Sequence, residues 1–349
     1  MIDKTAIVDN NAKVHSSVKI GPYSVIGPNV EIDENVIIHS HVNISGYTKI
    51  GKGNKIYPFA SIGNDPQDLK YNNEKTSLEI GDNNKFREYV TVNPGTVGGG
   101  GKTKIGNNCL FMISSHIAHD CNIGDNVIIA NNVPLGGHVT IENNVVIGGN
   151  SAVQQFTRIG QMAMIGGMTG VLHDVIPYGL SIGNRNYLQG LNLIDLRRKN
   201  IPNKEILVLS EAYKEIFKNE NLTENLKNLN AEIKKNGLVK DVVEFLEKDK
   251  WNNCVESDHP FLQYEFLSAL EKSNSASIKT GWQPYHYVEE ENDNIIALCP
   301  FYIKSHSFGE YIFDHSWADA YHRYGLNYYP KLQSAIPFTP VTGERIILN

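Results

Sequence analysis

Val8, Val14, Ile20, Ile26, Ile32, Ile38, Ile44, Ile50, Ile56 and Ile62 are ten aliphatic residues at a strict step of six. The step returns at Ile80, Phe86 and Val92, and again at Ile105, Phe111, Ile117, Ile123, Ile129, Leu135, Ile141, Ile147, Val153, Ile159, Ile165 and Val171. A period of six fits neither a 3.6-residue helix nor long strand alternation. It suits short strands joined by tight turns, one flat face per hexad. Three faces make a triangular coil of 18 residues, and stacked coils pair their strands at about 4.8 Å with the aliphatic side chains pointing inward. The spacing therefore predicts an all-β parallel β-helix. Glycine often follows the aliphatic residue, as in Ile20-Gly21, Ile50-Gly51, Ile123-Gly124 and Ile147-Gly148, and these glycines read as the residues that permit the turns.

The repeat breaks at 64–76 and at 94–103, the second carrying Gly98-Gly99-Gly100-Gly101. Both read as loops leaving the prism, where a rigid scaffold usually carries binding residues. Further on the backbone regime changes, since 25 of the 30 glycines precede residue 204 and residues 204–250 hold only Gly237. Apolar residues there fall at spacings of three and four, among them Ile206, Leu209, Tyr213 and Ile216, which predicts amphipathic helices. Residues 251–349 carry no hexad and hold 18 of the 32 aromatic residues, with 6 basic against 12 acidic side chains, so the net charge of -6 sits there. The expected division is a β-helix over 1–186, a helical tail over 187–250 and an α+β fragment over 251–349.

That charge argues against nucleic acid as a partner, because phosphate binding needs a basic footprint. Cys109, Cys121, Cys254 and Cys299 form no CxxC pair, so neither a disulfide framework nor a zinc ribbon is expected, and a reducing, cytoplasmic setting fits. MIDKTAIVDNNAK lacks the build of a signal peptide, and nothing approaches the ~20 apolar residues of a membrane span.

Residues 18 apart should stand above one another. His119, Gly137, Gln155 and His173 then form a column beside Asp120, His138, Phe156 and Asp174, with His116 three residues before His119. Histidine is suited to take a proton from a hydroxyl near neutral pH. A neighbouring carboxylate can fix its tautomer, and a glycine one coil away leaves a backbone N–H open to a developing oxyanion. Three histidines near one seam could instead hold Zn²⁺ with an open position, as in hexapeptide-repeat trimers resembling the gamma-class carbonic anhydrases. The spacing of His116 and His119, on different parts of a hexad, favours the base. A silent trimeric scaffold is the third reading. Cys121 is a rival nucleophile, although a buried packing role suits it better.

The hexads resemble those of the left-handed parallel β-helix acyltransferases, and the resemblance implies handedness and a homotrimer with sites between subunits. Gln67-Asp68-Leu69-Lys70-Tyr71, His116-Ile117-Ala118-His119-Asp120-Cys121, Ile147-Gly148-Gly149 and the stretch from Asn192 to Arg198 narrow it to the UDP-N-acetylglucosamine O-acyltransferase family of lipid A synthesis, over residues 1–250. That family moves a (3R)-3-hydroxyacyl group from acyl carrier protein to the 3-hydroxyl of UDP-N-acetylglucosamine, without a cofactor. Carried over by position, the resemblance makes His119 the general base, Asp120 its orienting partner and Gly137 the oxyanion donor. It places Gln67, Asp68, Lys70, His116 and His138 around sugar and thioester, and Gln155, Asn192 and Arg198 on the nucleotide or the phosphopantetheine arm. Gly167 matches the residue that ends the acyl channel. Gln154 and Lys199 depart from the family, where His and Arg are common, and a Lys loses the bidentate fork.

Residues 251–349, with Thr280-Gly281-Trp282-Gln283-Pro284, Tyr302 to Glu310, Trp317 to Tyr321, Tyr329 to Gln333 and Pro337 to Val341, are similar to the front part of a GNAT-like family linked to peptidoglycan synthesis. No second activity follows from a partial match, and a half-fold is expected to leave sheet edges and apolar area exposed.

Overall fold

The chain is described by a computed structural model over residues 1–219, 221–255, 261–291, 294–306, 315–334 and 347–348. It divides into two compact units, Met1–Ser210 and Glu211–Asn349. In the first, every one of the 25 hexad residues is the last residue of its strand, from Ile7–Val8 to Gly170–Val171. The strands stack into three sheets of nine, eight and ten, each hexad strand pairing with the third one along the chain, and the ten-stranded sheet is closed by two further strands, Gly179–Ile182 and the antiparallel Tyr187–Leu191. Ile117 pairs with Leu135, Leu135 with Val153 and Val153 with Val171, all parallel and 18 residues apart. The result is a three-sided parallel β-helix. From Ile20 to Val171 each hexad side chain is at most 4% exposed, and burial of this kind is worth roughly 1.5–3 kcal/mol per side chain.

The turns are made differently from the sequence expectation. Apart from Gly63, at φ 75°, glycines directly after a hexad residue, such as Gly21, Gly106 and Gly124, are not in the left-handed region. They serve close approach instead: a Cβ on Gly21 would lie 2.8 Å from the carbonyl carbon of His39, and one on Gly106 would lie 2.7 Å from the backbone of Gly124. At most hexad positions the left-handed residue is the third one after. Asn fills it at 35, 83, 108, 126, 132, 144 and 150, as suits a residue whose short polar side chain tolerates αL. Asp120, His138 and Phe156 hold this position with φ of 60°, 62° and 66°.

The two breaks follow Ile62 and Val92, strand ends of the nine-stranded sheet. Across the first, Ile62 pairs with Val92, thirty residues on, and across the second Val92 pairs with Ile117, twenty-five residues on. The prism thus absorbs insertions of twelve and seven residues without losing register. The second insertion leaves the prism with both of its ends tied down. Ser77 N–H donates to Gly101 O at 2.9 Å and Gly95 N–H to Ser77 O at 3.2 Å, tying it to the foot of Ser77–Ile80.

Beyond the prism, helix Asn203–Ile216 buries Ile206, Leu209, Ala212, Tyr213 and Ile216, the periodic residues of the sequence. In the second unit, helix Gly237–Cys254 runs through the expected boundary at 250 and starts at an Asn236 cap that accepts from the Leu238 and Val239 amides. Trp251 and Cys254 at its end pack with Leu262, Leu267, Leu298 and Ile347. Two three-stranded antiparallel arrays complete the described part. Residues 307–310 and 337–341 of the quoted motifs lie outside the described residues. Trp317, Tyr324 and Leu326 are exposed.

Candidate active site

One corner of the prism follows the nine-stranded sheet, and both insertions open there. So do the turns after Ile117, Leu135 and Val153, which carry His119-Asp120, Gly137-His138 and Gln155-Phe156. The 18-residue coil is therefore what gathers the column. His138 N–H donates to His119 O and Phe156 N–H to Gly137 O, both at 3.0 Å, so the stacked turns are fixed to one another.

His119 Nδ1 lies 2.8 Å from Asp120 Oδ2. The Asp120 side chain is 1% exposed and that of His119 17%. Asp120 is held from three sides: Thr96 N–H donates to Oδ1 at 2.9 Å, Thr96 Oγ1 donates to Oδ2 at 2.7 Å, and the Asp120 amide donates to Thr103 Oγ1 at 2.8 Å. His138 stands edge-on to the His119 ring at 5.2 Å and stacks on Phe156 at 4.4 Å. Burial holds the His138 pKa below the usual imidazole value, with the Asp120 and Asp68 charges pulling the other way. His116, whose Nδ1 is 2.7 Å from Thr91 Oγ1, is also held low, first by burial and then by His119.

Gly137 makes room for the base. A Cβ there would lie 2.6 Å from His119 Cε1 and 2.8 Å from Nε2. Its N–H occupies a special place in the coil, because the ladder leaves over the amide two residues after each hexad position. Pro22 and Pro58 are tolerated there, and at some of the equivalent positions a side chain accepts the amide: Lys52 N–H by Asp82 Oδ1 at 2.8 Å, Asn107 N–H by Asp125 Oδ1 at 2.7 Å. Among the described residues no group accepts from Gly137 N–H.

A curated protein of Sulfurovum, named for acyl transfer from acyl carrier protein to UDP-N-acetylglucosamine, is 47% identical over 249 residues, covering 71% of this chain and 95% of the relative. One of Aliarcobacter butzleri with the same name is 47% identical over 216 residues, covering 62% and 83%. This chain belongs to the UDP-N-acetylglucosamine O-acyltransferase family. Solved structures of family members agree: that of Moraxella catarrhalis aligns with a TM-score of 0.68 at 44% identity, covering 70% of this chain and 95% of the other, and that of Acinetobacter baumannii with 0.68 at 44%, covering 70% and 96%. Family models match the bacterial transferase hexapeptide at 11–46 and 102–133, the second domain of UDP-N-acetylglucosamine O-acyltransferase at 174–254, and a FemAB-like family of peptidoglycan biosynthesis and recognition at 242–349.

Not every residue that the O-acyltransferase family resemblance singled out reaches this corner. Those on its loops do: Gln67 and Lys70 are exposed on the first insertion, with Asp68 half-buried and accepting from the Lys70 amide at 3.0 Å, and Gln155 is exposed in its turn, whereas Asn192, Arg198 and Gly167 lie elsewhere. Asn192 is buried as the cap of helix Leu193–Arg198: its Oδ1 accepts from Asp195 N–H at 3.3 Å and its Nδ2 donates to Met162 O at 2.9 Å. Arg198 is exposed at that helix's end, and Lys199 reaches Asn144 Oδ1 at 3.0 Å. Met162 and Asn144 belong to the second corner, after the eight-stranded sheet, and exposed Gly167 belongs to the third, after the ten-stranded sheet. The top of the column is structural, since Asp174 pairs with Arg158 at 2.8 Å. Cys121 is fully buried, its Sγ donating to Gly136 O at 3.3 Å, and burial pushes its thiol up to about 12.

Among the described residues His119, Asp120 and His138 are the group whose atoms could surround a metal ion, all within 4.8 Å of one another. This differs from the three-histidine seam anticipated above. A metal at Asp120 would have to compete with the Thr96 and His119 hydrogen bonds already on the carboxylate. Thr96, Thr103 and Gly99, whose Cβ would overlap the Asp120 carboxylate, were not singled out by sequence reasoning. Their signal was the break in the repeat.

Proposed function

We propose that this chain transfers a (3R)-3-hydroxyacyl group from acyl carrier protein to the 3-hydroxyl of UDP-N-acetylglucosamine, the first step of lipid A biosynthesis, with His119 as general base. The observation that carries the reading is His119 held through Nδ1 on Asp120 with its ring over Gly137. A carboxylate oxygen accepts, so Nδ1 carries the proton and Nε2 keeps its lone pair. Nε2 removes the proton of the sugar hydroxyl as its oxygen attacks the thioester carbonyl carbon. The carbonyl oxygen becomes an oxyanion facing Gly137 N–H. Collapse expels the phosphopantetheine thiolate, which regains the proton from His119. No enzyme-bound acyl group forms, in keeping with the protonated, buried Cys121.

Gln67, Asp68, Lys70, His116 and His138 are assigned to sugar and thioester, Gln155 and Arg198 to the nucleotide or the phosphopantetheine arm, and Asn192 to holding the Arg198 helix. An acyl channel running from His119 to Gly167 joins two different corners, which one prism cannot do along an edge. We therefore assign a homotrimer of left-handed coils, with sites between subunits. No helix among the described residues is long and apolar enough to cross a membrane, and a cytoplasmic place suits the soluble nucleotide and carrier-protein substrates. The division into 1–186, 187–250 and 251–349 is retained as the functional one, with no activity assigned to the last.

The test is an assay of the full chain with 3-hydroxyacyl carrier proteins of several lengths and UDP-N-acetylglucosamine, with His119→Ala and a chelator as controls. Turnover lost in the variant and kept with chelator supports the base. Turnover that survives His119→Ala, or disappears with chelator, overturns it.

A further inference from the structure

We propose that the insertion at 94–103 is a clamp on the catalytic dyad and that Thr96 is its positioning residue. The inference rests on His119 acting as the base. Thr96 gives one donor to each Asp120 oxygen, its N–H to Oδ1 at 2.9 Å and its Oγ1 to Oδ2 at 2.7 Å. Two donors on two oxygens fix the plane of a carboxylate whose terminal torsion is otherwise broad. With that plane fixed, Oδ2 is aimed at His119 Nδ1.

The insertion is built to deliver those donors. Val97–Gly99 forms a single 3₁₀ turn, and the Gly99 and Gly101 amides return to Thr96 O at 3.0 and 2.8 Å. Gly100 and Gly101 take φ of 91° and 78°, which other residues adopt at a cost. Gly99 lies so close over Asp120 that any side chain there would occupy the carboxylate's place. Thr96 is 6% exposed and the Asp120 side chain 1%, so water does not substitute for the hydroxyl. The contrast is internal to the fold: at the equivalent left-handed positions Asn126, Asn144 and Asn150 are held by backbone hydrogen bonds to the coil below, with no insertion over them. The cover appears where the turn residue is the partner of the base.

Thr96→Val keeps the shape and the backbone N–H and removes only the hydroxyl. Loss of a charge-assisted hydrogen bond that orients the base is expected to lower kcat roughly tenfold, with KM for UDP-N-acetylglucosamine unchanged, and Thr96→Ser is expected to restore kcat to within about twofold. Wild-type kcat in Thr96→Val, beside an inactive His119→Ala, overturns the clamp and leaves the base standing. Equal losses in the Val and Ser variants also overturn it, because packing rather than the hydroxyl would then matter. An active His119→Ala removes the base reading itself. If Thr96→Val does not fold, Thr96→Ala, which also keeps the backbone N–H and removes the hydroxyl, decides: lowered kcat at constant KM that Thr96→Ser restores supports the clamp, and wild-type kcat overturns it.

Discussion

The ring of His119 lies directly against the Cα of Gly137, so that a methyl group on Gly137 would sit 2.6 Å from Cε1. Gly137 is not in the left-handed region, and alanine there carries no backbone strain. Gly137→Ala should therefore fold and displace the ring. A misplacement of about 1 Å can cost roughly 10²-fold in rate, and kcat is expected to fall by about that much while the circular-dichroism melt stays in place. A variant with unchanged kcat would mean that the ring does not work from this position.

Asp120→Asn tests the tautomer. An amide in place of Oδ2 can turn its NH₂ toward His119, leaving the imidazole proton on the wrong nitrogen. Loss of a positioned base typically costs about 10²- to 10⁴-fold, and kcat should fall within that range. Asp174→Asn is the matched control. It repeats the His-Asp pattern two stacking steps after Gly137-His138, yet Asp174 is spent on Arg158, so kcat should stay at the wild-type value. Equal losses in the two variants would count against the dyad.

The hexads made the prism legible because every core residue is set by one period, and the register of that period also gathered His119, Gly137 and Gln155. The same arithmetic could have separated Gly167, which lies forty-eight residues after His119, two coils and two thirds of another. Thr96 was not legible: it acts from an aperiodic insertion, through hydrogen bonds that follow no spacing rule. The turns were misread because Gly after the hexad residue marks close backbone approach, whereas the left-handed position has a side chain that varies from Asn to Asp and Phe.

Acid should destabilise the fold through His116. Burial, and then His119, lowers its pKa from 6.5. As pH falls below that value the unfolded chain takes up a proton that the folded chain resists, so the unfolded state binds more protons and stability falls until the folded value is passed. Above about 6.5 both states are neutral and the loss is absent. His116→Asn should show a smaller drop in melting temperature than wild type between pH 7.5 and pH 5.5, those two being our choice on about one unit either side of the ordinary value. The same drop in both proteins would contradict the assignment.

Cys121 should be dispensable. Its thiol is pushed up to about 12 and is fully buried, so almost no thiolate exists at neutral pH. Cys121→Ala is expected to keep kcat within about twofold and to lose roughly 1 kcal/mol of stability through the small cavity. Iodoacetamide should not inactivate the native enzyme. Rapid inactivation that the alanine variant escapes would revive the nucleophile.

Gly167 offers the cleanest separation of chain-length selection from chemistry, because it stands on a different corner from His119 and shares no contact with the dyad. Its φ is not in the left-handed region, and a Cβ would meet Gly149 O at 3.3 Å and Gly149 N at 4.0 Å, so the backbone accepts a side chain after a shift of a few tenths of an ångström. A methionine there would extend over the exposed strip beside Gly149 and shorten any channel that ends on it. Each methylene denied burial is worth about 0.8 kcal/mol, close to fourfold in kcat/KM. Gly167→Met is thus expected to move the optimum to an acyl chain shorter by several carbons, with kcat on that shorter donor near the wild-type rate on its own optimum. Competition between 3-hydroxyacyl carrier proteins of different lengths, read by mass spectrometry of the acylated nucleotide sugar, measures the shift. An unchanged length profile in an active variant would place the end of the channel elsewhere, and a loss of rate on every donor would mean that Gly167 serves assembly of the site rather than its length.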